Sequence, residues 1–102
     1  MTPKEKILKA AELLEKTGWT KKWFARDERG HHAAWDDRKA VKFCMLGACY
    51  RSNLYLEDSS TLIQLAKFIR SRHRMDSVSF NDSRAGPEEV IQELRAFAET
   101  LS

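Results

Sequence analysis

The side chains with chemistry of their own to offer are the thiols of Cys44 and Cys49 and the imidazoles of His31, His32 and His73. A thiol beside an imidazole makes a nucleophile and its base, and adjacent histidines near Asp36-Asp37 offer ligands for a divalent cation. The spacing argues against both. Neighbouring residues of an extended segment point to opposite faces, so His31 and His32 do not converge on one ion, and His73 lies far along the chain. The stretch 40–52 (AVKFCMLGACYRS) is uncharged from Phe43 to Tyr50 and reads as a buried helix. Within a helix, Cys44 and Cys49 diverge by roughly 140°, which no disulfide spans. Reactive cysteines prefer electropositive, partly exposed surroundings, so these two are expected to be inert packing. No Gly-rich phosphate loop, Gly-x-Ser-x-Gly elbow or His-Glu-x-x-His pattern occurs. The expectation is a protein with no catalytic residues, no metal ligands and no cofactor.

Two other groups offer contacts rather than reactions. Trp19, Trp23 and Phe24 are interleaved with Lys21, Lys22, Arg26 and Arg29, and Arg70, Arg72 and Arg74 cluster further on. Aromatic and basic residues together can stack bases and hold phosphates. Equally, arginines at a helix end complement its dipole, and tryptophans usually fill cores. Trp23, Phe24 and Arg26 are the candidates for contact with a partner protein. Lys21, Lys22, Arg70, Arg72 and Arg74 are the candidates for contact with nucleic acid.

The elements that position these residues follow from periodicity and caps. Thr2-Pro-Lys-Glu5 makes a capping box with proline in the first turn, opening an amphipathic helix over about 3–17 that Gly18 is expected to close in a left-handed turn. Segments within 19–35 read as two short strands around an Asp27-to-Gly30 turn. Asp36 or Asp37 is expected to cap the central helix over about 37–52. Ala40, Cys44, Gly47 and Ala48 form a stripe of small residues on it, and since glycine costs a helix about 1 kcal/mol, a close helix crossing is its expected reason. Arg51, on the same stripe, needs a carboxylate or a free carbonyl, with Asn81-Asp82 as a candidate source. Leu54, Tyr55 and Leu56 fall in a connection over 53–58. Ser59 or Ser60 caps a third helix over about 59–72, Ser77–Phe80 alternates like a strand, 81–86 reads as a polar loop, and Pro87-Glu-Glu opens a last helix over about 86–101.

The chain has 102 residues, of which 42% are hydrophobic and 32% charged, enough for one domain with a proper core. No run nears the roughly 18 apolar residues of a membrane span, and the N-terminus does not read as a signal peptide, so the expected address is the cytoplasm and no membrane is implied. A net charge of +3 permits polyanion binding without requiring it.

Gly18-Trp19, Ala25-Arg26 with Gly30, Ala40-Val41, Cys44-x-x-Gly47-Ala48 with Arg51, Asn81-Asp82 and the closing Pro87-Glu-Glu-Val-Ile-x-x-Leu94-Arg95 occur in that order. In this the chain resembles a family of small bacterial and phage proteins catalogued as a domain of unknown function. The resemblance spans nearly the whole chain and implies an accessory protein of a bacterium or phage. It implies no activity. His31-His32 and Arg70–Arg74 lie outside it.

Together these readings predict a single mainly helical α+β domain. Four helices pack around the buried central one, beside a small sheet of two or three strands drawn from 19–35 and 77–80. The function expected is a non-catalytic protein-interaction module, a regulator or inhibitor; the alternative is nucleic-acid binding through 21–29 and 70–74.

Overall fold

The capping box at the start of the chain forms as expected. In the computed structural model, which describes residues 1–54 and 58–102, the Glu5 amide donates to Thr2 Oγ1 at 3.2 Å, and the Thr2 amide donates to Glu5 Oε1 at 2.8 Å. The helix this opens, α1 (Pro3–Lys16), buries Ile7, Ala10, Ala11 and Leu14. It ends at Thr17 in a right-handed conformation rather than in a left-handed turn at Gly18, where φ is 156°.

Three two-residue strands follow. β1 (Ala25–Arg26) lies between β2 (His32–Ala33) and β3 (Lys42–Phe43), antiparallel to both. Ala25 sits opposite Ala33 and Phe43, and Arg26 opposite His32 and Lys42. The β1–β2 turn has the expected chemistry: the Gly30 amide donates to the Asp27 carbonyl, Asp27 Oδ1 accepts from the Arg29 and His31 amides, and Gly30 adopts φ 83°.

The central helix is much shorter than its uncharged sequence suggests. Helix α2 runs only from Met45 to Arg51. Residues 36–41 instead form a turn, with the Ala40 amide donating to the Asp37 carbonyl, and Lys42–Phe43 pair as β3. The helix cap is therefore Cys44, not Asp36 or Asp37: its Sγ accepts from the Gly47 amide at 3.3 Å. An apolar run of this length is ambiguous between buried helix and buried strand, and here it is divided between the two.

Three further helices complete the architecture: α3 (Ser59–His73), α4 (Ser77–Ser83) and α5 (Glu88–Glu99). The residue before α3 is Asp58, whose side chain makes no cap bond; instead it pairs with the buried Lys6. Ser77–Phe80 is the first turn of α4 rather than a strand, because Asp76 accepts the Ser79 amide at 2.8 Å and caps a helix that continues through Asn81 and Asp82. The expected polar loop therefore begins only after Ser83. Tyr55 and Leu56 lie outside the described residues. The fold is α+β and mainly α, with five helices beside a three-stranded antiparallel sheet among the described residues. Its core joins α1 to α5 (Val90, Ile91, Leu94, Phe97, Ala98), α2 (Met45, Ala48, Cys49), α3 (Leu65, Ile69) and Phe80 of α4.

Candidate functional site

A groove of about 380 Å³ opens where the loop before β1 faces α4 across the start of α2. Lys22, Trp23 and Phe24 form one wall, Ser77, Val78, Asn81 and Asp82 the other, with Cys44 and Leu46 between them. Its rim holds much of the exposed apolar surface of the described chain: Trp23, Phe24 and Val78 are 47%, 45% and 50% exposed. Clustering of that kind around a concavity marks interaction surfaces, whereas single exposed apolar residues are ordinary.

The groove is held open by a polar clamp. Asn81 is 1% exposed and uses its whole amide: Oδ1 accepts from Trp19 Nε1 at 2.8 Å and from the Met45 amide at 3.0 Å, while Nδ2 donates to the Thr20 carbonyl and to Asp82 Oδ1. Asp82 Oδ1 in turn accepts the Lys22 amide at 2.9 Å, where Lys22 takes φ 73°. One helix face thus fixes both the start of α2 and the loop carrying Trp23. Gly47 in turn lets α2 lie directly on the backbone of Phe24. A Cβ there would fall 2.9 Å from the Phe24 carbonyl carbon and closer still to its oxygen. The small residue does serve a close approach, but to the strand-entry backbone rather than to another helix.

Rings brace the rim. Trp23 stacks on His32 with centroids 4.4 Å apart, and Phe24 rests on Tyr50 at 5.4 Å, which meets Trp35 edge-on. Arg51 is anchored as expected by carbonyls, but those of Trp35 and Asp37, not by Asn81-Asp82.

Both thiols are free and buried. Burial pushes the Cys44 thiol up, more than the Gly47 amide beside it draws it down. Burial also raises Cys49 strongly, helped by the neighbouring Cys44. Cys44 sits at a helix start rather than in mid-helix, yet it is only 8% exposed. The histidines do not converge: His32 serves as a stacking partner, His31 lies near Asp27, and the His73 ring packs on Phe80. Among the described residues no group of three or more His, Cys, Asp or Glu forms a metal-binding cluster.

The candidate contact residues divide between the groove and the scaffold. Trp23 and Phe24 stand on the groove, and Lys22 lines it. Arg26 is spent on structure, its Nε donating to Thr20 Oγ1 and its Nη1 to the Gly30 carbonyl, both at 2.7 Å. The Lys21 ammonium lies 5.6 Å from the Trp19 ring centroid. Arg72 makes a two-pronged ion pair with Glu93 at 2.7 and 3.0 Å, and Arg74 closes α3 with φ 59°. The α4 wall went unread in the sequence because Ser77–Phe80 looked like a strand; the one signal that pointed to it was Asn81-Asp82.

A family model described as a family of unknown function (DUF6197) matches residues 1–100. The chain belongs to that family. No curated protein and no solved structure matches it. In this DUF6197 member Asn81-Asp82 lines the groove, while Gly47 lies against the Phe24 backbone. No helix among its described residues is long and apolar enough to cross a membrane.

Proposed function

We propose that this DUF6197 chain is a non-catalytic binding module that recognises another protein through the groove between Trp23-Phe24 and α4. The observation that carries this reading is the concentration of Trp23, Phe24 and Val78, each about half exposed, around one concavity braced from behind. Interface hot spots favour aromatic anchors set in preformed pockets, and a rim fixed by Asn81 loses little freedom on binding. Raised thiol pKa values at Cys44 and Cys49 favour packing over nucleophilic chemistry at these positions. The test is quantitative capture of a partner from cells by the intact protein, compared with Trp23→Ala, Val78→Asp and the distant exposed Ile63→Ala. Loss with the first two and retention with the third supports the reading. Retention by all three refutes it.

Nucleic-acid binding is the weaker alternative. It draws support from Arg29, His31, Arg38 and Lys39 around a second, wider basin, but Asp27 and Glu28 share that basin, and Glu93 already neutralises Arg72. A steep loss of DNA or RNA affinity with salt is the signature it requires.

A further inference from the structure

Helix α3 is 15 residues long and contains no acidic residue, while Lys67, Arg70, Arg72 and His73 lie in it and Arg74 closes it. It buries Thr61, Leu65 and Ile69. At about 100° per residue, Lys67 and Arg70 fall on the opposite side, in line with Ile63, which is 57% exposed. Lys67, Arg70 and Arg74 are all exposed. None of their side chains makes a hydrogen bond, ion pair or ring contact among the described residues. A helix end draws cations for its own sake, but that effect fades beyond the last turn, and Lys67 stands nearly two turns from the end. Two acids lie near this end of α3, and both are engaged. Glu93 takes Arg72 at 2.7 and 3.0 Å, and Asp76, whose charge reaches Arg70, accepts the Ser79 amide at 2.8 Å. The other basic positions are matched more closely: Lys22 shares the groove with Asp82, and Arg29, Arg38 and Lys39 share their basin with Asp27 and Glu28. The α3 strip carries no aromatic anchor and belongs to neither concavity, so it lacks the desolvated centre on which a protein interface turns. Attraction to a phosphate backbone needs only such unmatched charge.

We propose that the outer strip of α3, formed by Lys67, Arg70 and Arg74, contacts the phosphate backbone of nucleic acid without regard to sequence. This gives nucleic-acid contact a different seat from the basin, and it shares no residue with the groove.

The test uses the intact protein and a fluorescein-labelled DNA duplex of mixed sequence, with affinity read by anisotropy between about 50 and 200 mM salt. Three neutralised phosphates give a log–log slope of about 2.7, a weakening of about 40-fold across that range. Lys67→Gln, Arg70→Gln and Arg74→Gln should each lower the slope by about 0.9, and the triple variant should bring it near zero. All three positions are exposed, and an unchanged circular dichroism spectrum separates lost contact from lost fold. Lys39→Gln in the basin and Lys22→Gln on the groove should leave the slope as it was, and a duplex of shuffled sequence should bind equally. No binding at about 50 mM salt overturns the proposal, as does a slope that Lys39→Gln lowers and the α3 variants do not. Poly-glutamate or anionic lipid vesicles bound as tightly as the duplex also overturn it, in favour of an acidic protein or a membrane surface. Partner capture through the groove is read with Trp23→Ala and without DNA, so the protein-binding reading and this one fail separately.

Discussion

Replacing Gly47 with alanine sets two effects of known size against each other. In a helix considered alone, the change is favourable by about 1 kcal/mol. Here the added Cβ would lie 2.9 Å from the Phe24 carbonyl carbon and 3.3 Å from its Cα, and it would overlap the oxygen more deeply. Non-bonded carbon contacts begin near ~3.5 Å, so the Phe24 backbone must retreat by on the order of 1 Å. The obstacle is main chain tied into the sheet, which cannot swing aside as a side chain can. Retreat also stretches the bond from the Cys44 amide to the Phe24 carbonyl, already 3.2 Å long. Overpacking costs about 1–3 kcal/mol and the lost hydrogen bond about 1 kcal/mol. After the helix gain, a net loss of about 2 kcal/mol remains. For a domain of this length that lowers the melting temperature by roughly 8–16 °C. Gly86→Ala is the control: the nearest atoms to its Cβ belong to the Glu88 carboxylate at the end of a flexible side chain, and stability should stay within about 0.5 kcal/mol. Thermal and urea unfolding followed by circular dichroism read both variants. A Gly47→Ala protein as stable as the parent would show that helix propensity outweighs contact with Phe24, and the account of the groove wall would fall.

Asn81→Leu keeps the volume but orphans Trp19 Nε1, the Met45 amide and the Thr20 carbonyl; at about 1–3 kcal/mol for each unsatisfied group, urea midpoints should report a loss of at least about 3 kcal/mol. Native protein at pH 8 should release no colour with an aromatic disulfide reagent, whereas protein unfolded in urea should titrate two thiols per chain, since Cys44 and Cys49 are both free and buried. The same burial predicts an alkaline limit. Both thiols have folded pKa values raised above their ordinary value of 9.0, so their contribution is fully present below that pH and is lost as pH rises beyond it. Unfolding measured between pH 8 and pH 10.5 should show the decline, and Cys49→Ala should flatten it; an unchanged slope would remove Cys49 as its cause.

What could be read in the sequence follows how local each determinant is. The first helix was legible because Thr2, Pro3 and Glu5 settle it within four residues. The Asp27-to-Gly30 turn was legible for the same reason, its bonds all lying inside the turn. The boundary at Cys44 was not. Cysteine is not a usual cap, and the donors and acceptors that fix the start of α2 belong to Phe24 and Asn81, 20 and 36 residues away. Ser77–Phe80 misled because four alternating residues also fit a helix that buries Phe80 and leaves Val78 in water. Trp23 and Phe24 were recognisable as contact candidates from composition alone. The wall opposite them was not, since it exists only once α4 is folded against the loop.

Under the proposed function, that dependence explains how an irregular loop can serve as a binding surface. Aromatic residues on an unsupported loop would lose conformational freedom on binding and sacrifice affinity to it. Here the loop is held at three points that do not involve the exposed faces of its rings: Asp82 holds the Lys22 amide, Asn81 holds the Thr20 carbonyl, and Gly47 lies against the Phe24 backbone. Arg26 adds a fourth from below, through Thr20 and Gly30. The polar and small residues of the site therefore act behind the surface, leaving its apolar face exposed. Substitutions at Asn81 or Gly47 should change stability and binding together, while Trp23→Ala and Val78→Asp should change binding alone. A Trp23→Ala protein that lost several kcal/mol of stability would place that ring in the scaffold instead.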